Sequence, residues 1–91
     1  MVSKKTVILN PTGLHLRPAG LLCKSALEYT SKITLRFRDY SANAKSVLGV
    51  LGACIKTGDE IELVCEGEDE EEALENLICL IESGLGEKIS K

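Results

Sequence analysis

Ile33-Thr34-Leu35-Arg36-Phe37-Arg38 alternates apolar and polar side chains without a break. Neighbouring side chains of an extended chain point to opposite faces, so the pattern predicts a strand with one face buried and the other wet. Ile61, Leu63 and Cys65, set against Glu62, Val64 and Glu66, predict a second strand of the same kind. Upstream, Lys4 to Leu9 reads as a first strand that stops at Asn10-Pro11-Thr12-Gly13, a dense turn signal. Asp39 to Ala42 suits a turn, and Ser41 to Ala44 suits a short additional strand.

Between these strands the apolar period changes. From Leu16 to about Tyr29, Ala19, Leu22, Cys23, Ala26 and Leu27 recur at helical spacing, with Lys24, Ser25 and Glu28 on the polar side. Lys45 to Ala53 is short, apolar and broken by two glycines, which fits a short helix or a buried strand. Its lead-in, Asn43-Ala44-Lys45-Ser46, favours a helix with Ser46 at the N-cap, where a hydroxyl accepts from backbone N–H groups two or three residues on. The last helix has an acidic start, Asp69 to Glu72, and an apolar stripe at Ala73, Leu74, Leu77, Ile78 and Ile81. Gly84 and Gly86 suit its C-terminal cap. Strands and helices mixed without a long α/β repeat predict an α+β fold, an antiparallel sheet covered on one face by helices.

A chain of 91 residues is expected to form one domain, 1–91, with any active site on its surface. Aromatic residues make up only 3%, so Leu, Ile, Val, Ala and Cys must fill the core, and platforms for stacking bases are scarce. A net charge of −3 further argues against direct nucleic-acid binding. Cys23, Cys54, Cys65 and Cys79 form no C-x-x-C pair and none adjoins the histidine, so no metal site is expected. Cys23, Cys65 and Cys79 are expected to face inward as reduced thiols. The carboxylates of Asp69 to Glu72 read as a solvated helix start. Met1 to Asn10 is too polar and short for a signal segment, which predicts a cytoplasmic protein without membrane insertion.

The single histidine, His15, lies in Gly13-Leu14-His15-Leu16-Arg17-Pro18-Ala19, where a loop gives way to a helix. Thr12 and Gly13 read as turn and cap residues, and Pro18 has no N–H to lose in a first helical turn. A helix N-terminus presents unpaired N–H groups and a partial positive charge, so an anion held by His15 would meet donors already aimed at it. Neutral imidazole also carries a nucleophilic lone pair. Taken alone, the position fits a simple anion site or a surface cap equally well.

Two separated motifs then agree. Gly13-Leu14-His15-Leu16-Arg17-Pro18-Ala19 resembles the acceptor motif of the histidine-containing phosphocarrier family, HPr, of the bacterial phosphoenolpyruvate:sugar phosphotransferase system. Asn43-Ala44-Lys45-Ser46-Val47-Leu48-Gly49-Val50-Leu51 is similar to that family's regulatory serine segment. The resemblance spans nearly the whole chain and implies four antiparallel strands with helices on one face. It implies that His15 accepts a phosphoryl group through Nδ1 from enzyme I and passes it to a sugar-specific EIIA domain, as a stoichiometric carrier rather than an enzyme. Arg17 is the implied electrostatic partner, since its guanidinium can follow a phosphoryl group as a fork of donors. No cofactor is implied.

Ser46 is the implied regulatory site. In Gram-positive relatives a kinase, HPr kinase/phosphorylase, modifies the matching serine and the product serves a catabolite-control transcription factor. A plain N-cap role accounts for the same serine, and the two roles are compatible. Val47, Leu48 and Leu51 are expected to form an exposed apolar patch beside His15 if Val50 and Ala53 take the buried side, with Leu16 in the same partner surface. Lys24 and Lys45 would supply its basic rim. Core packing accounts for the apolar residues too, and the pattern does not separate the readings. Leu16 and Gly20 depart from the smaller or helix-favouring residues frequent in relatives. The competing function is a purely regulatory binding module acting through Ser46 and the patch. Retention of His15 favours the carrier, and nothing in the chain demands more than a monomer.

Overall fold

The computed structural model describes residues 1–87; residues 88–91, the end of the expected 1–91 domain, lie outside the described residues. The elements follow in the order β1 (Val2–Val7), α1 (Leu16–Ala26), β2 (Lys32–Phe37), β3 (Tyr40–Asn43), α2 (Val47–Gly52), β4 (Glu60–Glu66) and α3 (Glu70–Glu82). The four strands form one sheet in the order β1-β4-β2-β3, with every neighbouring pair antiparallel. The last strand in sequence therefore lies inside the sheet, between β1 and β2, which run parallel to each other across it.

The alternation in the sequence becomes the two faces of this sheet. Ile33, Leu35, Ile61, Leu63 and Cys65 point inward and are at most 1% exposed. Cys65 stands opposite Val2 and Ile33, and Leu63 opposite Leu35, so the register aligns the apolar sets of β2 and β4, while β1 adds Val2 and the buried Thr6 opposite Ile61. The outer face carries charge: Glu62 lies between Lys5 and Arg36, and its pair with Arg36, at 3.9 Å and in water, contributes little. The helices close the inner face with Ala19, Leu22, Cys23 and Ala26 of α1, Val50 of α2, and Ala73, Leu77, Ile78 and Ile81 of α3. This is the α+β, open-faced arrangement that the pattern predicts. No described helix is long and apolar enough to cross a membrane.

The structure departs from the sequence pattern at several points. The first strand is Val2–Val7 rather than Lys4 to Leu9, because its ladder is set by β4, which pairs Val2 with Cys65 and Val7 with Glu60. Ile8 instead exchanges hydrogen bonds with the turn, donating to the Asp59 carbonyl and accepting from the Gly58 amide. Helix α1 ends at Ala26, and Leu27 is exposed rather than buried: it lies about 100° around the helix from Ala26, and the ring of Tyr29 packs on the core instead. Cys79 is likewise exposed, one residue off the Leu77–Ile78–Ile81 stripe. Cys23 and Cys65 are buried free thiols, and burial pushes both thiol pKa values up, which keeps them protonated and unreactive. The hairpin turn is Arg38–Asp39, with Arg38 at φ 54°, and its second strand is Tyr40–Asn43 rather than Ser41 to Ala44.

Two ends of α3 show how the acidic and glycine signals are used. Asp69 makes no side-chain cap to its own helix; its carboxylate accepts from the Thr30 and Ser31 amides and the Ser31 hydroxyl, and so ties the α1–β2 loop to α3. At the other end Gly84, at φ 101°, follows the cap residue, with Gly84 donating to the Ile81 carbonyl and Leu85 to that of Leu80. This doubled bond is a Schellman closure, and it turns Leu85 into the core at 2% exposed.

The Ser31 and Thr30 hydrogen bonds hold the Asp69 carboxyl below its ordinary value of 3.8. A depressed carboxylate stabilises the folded state fully above that value and ceases to do so as pH falls through the lower folded value. Denaturation followed from pH 6 downward is expected to show stability falling below about 3.8, with a shallower fall for Asp69→Asn.

Candidate functional site

His15 is the N-cap residue of α1. Its backbone is extended (φ −74°, ψ −176°), its carbonyl accepts from the Ala19 amide at 2.9 Å, and its exposed ring makes no capping hydrogen bond. The cap residue is thus the histidine itself, not Thr12 or Gly13. The first helical turn holds Leu16, Arg17 and Pro18. Pro18 has no amide hydrogen, so the donors without a helical partner at this end are the N–H groups of His15 itself, Leu16 and Arg17. Arg17 is exposed and forms no ion pair among the described residues. Its guanidinium is therefore available to a bound anion beside the ring.

The loop that delivers His15 is pinned from both sides. Gly13 adopts φ +67°, and a Cβ there would lie 2.7 Å from the Ile55 carbonyl oxygen and 2.8 Å from the Lys56 Cα. Only glycine fits so close to another backbone in that conformation. The next amide, Leu14, donates to that Ile55 carbonyl at 3.0 Å. On the other side Asn10, fully buried, donates from Nδ2 to the Gly13 carbonyl at 2.6 Å and to Glu87 Oε1 at 2.9 Å. Glu87 also accepts from the Thr12 amide and hydroxyl, and these hydrogen bonds hold its carboxyl below the usual carboxylate range.

His15 opens onto a shallow groove lined by Leu14, Leu16, Leu51, Cys54, Ile55 and Lys56. Leu16 is 68% exposed and Leu48 83%, whereas Val47 and Leu51 are half-buried and packed against the core. Val50 of α2 and its C-cap Ala53 are buried, which is the condition the exposed patch required. The apolar residues therefore join His15 through Leu51 and run back along α2 past Leu48 to Val47. The expected rim is differently placed. Lys24 sits in the last turn of α1, roughly 12 Å along the helix from its start, and the Lys45 ammonium donates to the Tyr29 carbonyl just past that same end. Neither lysine borders the imidazole; the cation that lines its groove is Lys56.

Ser46 is the N-cap of α2: its Oγ accepts from the Gly49 amide at 3.1 Å and its carbonyl from the Val50 amide at 3.0 Å. The start of α2 lies by the C-terminal end of α1, through Lys45 and Tyr29, while Leu51 near its far end lies beside His15. His15 and Ser46 are thus at opposite ends of one α1–α2 surface. Cys54, Ile55, Lys56 and Glu87 carry no motif in the sequence. Only Gly13 hints at part of this wall, because glycine in a loop often marks a place where another backbone approaches closely. Among the described residues no group of acidic, His and Cys side chains could hold a metal ion.

Comparison with known proteins agrees with this geometry. Residues 2–83 match the family model described as PTS HPr component phosphorylation site. The chain is 40% identical to the phosphocarrier protein HPr of Lysinibacillus sphaericus, over 96% of this chain and all of that protein. It is 39% identical to the HPr-like protein Crh of Bacillus subtilis strain 168, over 90% of this chain and 96% of that one. The crystal structure of HPr-C-His from Thermoanaerobacter tengcongensis superimposes with a TM-score of 0.94 at 39% identity, covering 98% of this chain and all of that one.

The two α1-proximal glycines should respond oppositely to alanine. Gly13→Ala places a Cβ against the Ile55 carbonyl at positive φ and should cost about 1–3 kcal/mol. Gly20 is helical with nothing within 4 Å of an added Cβ, so Gly20→Ala should stabilise by about 0.5–1 kcal/mol. Urea denaturation of both variants checks the sign of each.

Proposed function

Since the chain belongs to the HPr family of phosphotransferase-system phosphocarriers, we propose that His15 receives its phosphoryl group from enzyme I and hands it to a sugar-specific EIIA domain. The observation that carries this reading is the exposed, uncapped imidazole at the start of α1, where the first-turn amides lack helical partners and Arg17, two residues on, is exposed and free of any ion pair among the described residues. The Nδ1 lone pair attacks phosphorus, a P–N bond forms at His15, and the P–N bond to the donor histidine breaks with its electron pair returning to the donor. Transfer onward repeats the exchange in the other direction. The protein supplies position and charge rather than covalent chemistry. The helix amides and Arg17 would offset the phosphoryl charge, and a groove open to water on one side lets a partner histidine approach in line. Leu16, Val47, Leu48 and Leu51 would give those partners an apolar contact, with Lys56 rather than Lys24 or Lys45 as the lysine lining the groove. The chain acts as a stoichiometric carrier.

Ser46 supports a regulatory input, phosphorylation by a kinase and recognition of the product by a catabolite-control transcription factor. A phosphate on Oγ would sit at the start of α2, where the Gly49 N–H already donates to the hydroxyl, so the fold need not change. Ser46 lies at the far end of α2 from His15, roughly 7 Å along its axis. The added charge would therefore act on a partner lying across the shared α1–α2 surface, not on the imidazole directly. A second reading, a regulatory module in which His15 is idle, draws on the similarity to Crh, described in its solution structure as the Bacillus subtilis catabolite repression HPr.

With phosphoenolpyruvate and enzyme I, the protein is expected to acquire an acid-labile phosphoryl group that His15→Ala lacks. Absence of any adduct on the wild-type chain would favour the regulatory module. Arg17→Ala should slow that phosphorylation roughly 10²-fold, read by quenched-flow assay. With kinase and ATP, an acid-stable phosphoserine lost in Ser46→Ala should form and slow phosphorylation of His15; no modification would remove the regulatory role.

A further inference from the structure

The far end of the chain reaches the acceptor loop through one side chain. After the Schellman turn, Leu85 plugs the core, Gly86 passes at φ 82°, and the Glu87 amide donates to the Gly84 carbonyl. This brings the Glu87 carboxylate over Asn10-Pro11-Thr12-Gly13. It accepts from Asn10 Nδ2 at 2.9 Å, from the Thr12 amide at 3.2 Å and from the Thr12 hydroxyl at 2.8 Å. We infer that Glu87 is a positioning residue for phosphoryl transfer, a latch that fixes the Asn10–Gly13 loop and through it the orientation of His15. The inference rests on His15 being the phosphoryl acceptor.

The physical case begins with Asn10. Its side chain is fully buried, so each amide hydrogen needs an acceptor inside the protein, and the two it has are the Gly13 carbonyl and Glu87. Removing the carboxylate leaves a buried donor unpaired, and the loop must shift to hydrate it. The loop has little freedom to shift harmlessly. Gly13 is already in backbone contact with Ile55 and Lys56, Leu14 is bonded to Ile55, and His15 comes next as the cap of α1. A displacement at Asn10 is therefore passed to the imidazole instead of being absorbed. Small misplacements of a reacting group cost rate steeply, because in-line attack depends on alignment.

Two variants separate positioning from charge. Glu87→Ala removes the acceptor, whereas Glu87→Gln keeps a carbonyl oxygen for Asn10 and Thr12 but removes the negative charge. Phosphorylation of His15 by enzyme I and phosphoenolpyruvate is measured alongside amide and imidazole NMR shifts of the unphosphorylated proteins. Glu87→Ala is expected to lower kcat roughly tenfold with little change in KM, and to shift the Thr12, Gly13 and His15 signals. Glu87→Gln should restore most of the rate and the wild-type shifts. Glu87→Ala turning over at or above the wild-type rate overturns the inference, as does Glu87→Gln matching the alanine variant. A wild-type chain that takes no phosphoryl group overturns the carrier reading itself; phosphorylation of the wild-type chain leaves that reading standing, and the rates of the two variants then decide the latch.

Discussion

Burial of one face of a four-stranded sheet, with β4 inserted between β1 and β2, is the constraint on which the rest of the molecule depends. Ile61, Leu63 and Cys65 of β4 share the inner face with Ile33 and Leu35 of β2, and α3 and α1 cover them. Because β4 arrives last among the strands, β1 and β2 have no ladder between them until it is in place. The hairpin of β2 and β3 is local, but joining β1 to it requires contacts distant in sequence. The loop that follows β1 is then held where β4 begins: Ile8 bonds to Gly58 and Asp59, and Gly13 and Leu14 rest on Ile55 and Lys56. His15, the proposed acceptor, is placed by the same pairing that closes the sheet.

That placement resolves a competition between exposure and order. In the proposed role His15 must be open to two different partners, yet a freely moving imidazole would align poorly with either. Here the ring is exposed while its backbone is fixed as a helix cap, with Gly13 and Asn10 bracing the preceding turn. The charge compensation is equally economical in structure. Pro18 removes one amide from the helix start, leaving those nearest the histidine, and Arg17 adds a mobile cation with no competing carboxylate among the described residues.

The α1–α2 pair gives the two sequence motifs a common surface. His15 meets Leu51 near the end of α2, and Ser46 caps its start beside the end of α1. Leu48, almost fully exposed, stands between them. A partner large enough to cover both ends would bury Leu48 and meet any charge added at Ser46. This is a surface argument, and it needs no rearrangement of the core.

The sequence by itself determined the periodicities, the Ser46 cap, the glycine closure after α3 and the isolation of one histidine at a helix start. Each of these follows from backbone geometry and side-chain chemistry within a few residues: alternation at 33–38, a helical stripe through Ala19, Leu22, Cys23 and Ala26, a hydroxyl three residues before Gly49. Leu27 and Cys79 mark where that reading fails, since one residue of helix rotation separates core from solvent and only the packed neighbours define the boundary. Tertiary structure alone decided the span of β1, the groove wall at Cys54–Lys56, the displacement of Lys24 and Lys45 from the imidazole, and the reach of Glu87 to Asn10 and Thr12. Those features are contacts between segments tens of residues apart, and no local pattern encodes them, because the strand ladder and the helix packing that create them exist only once the chain has closed on itself.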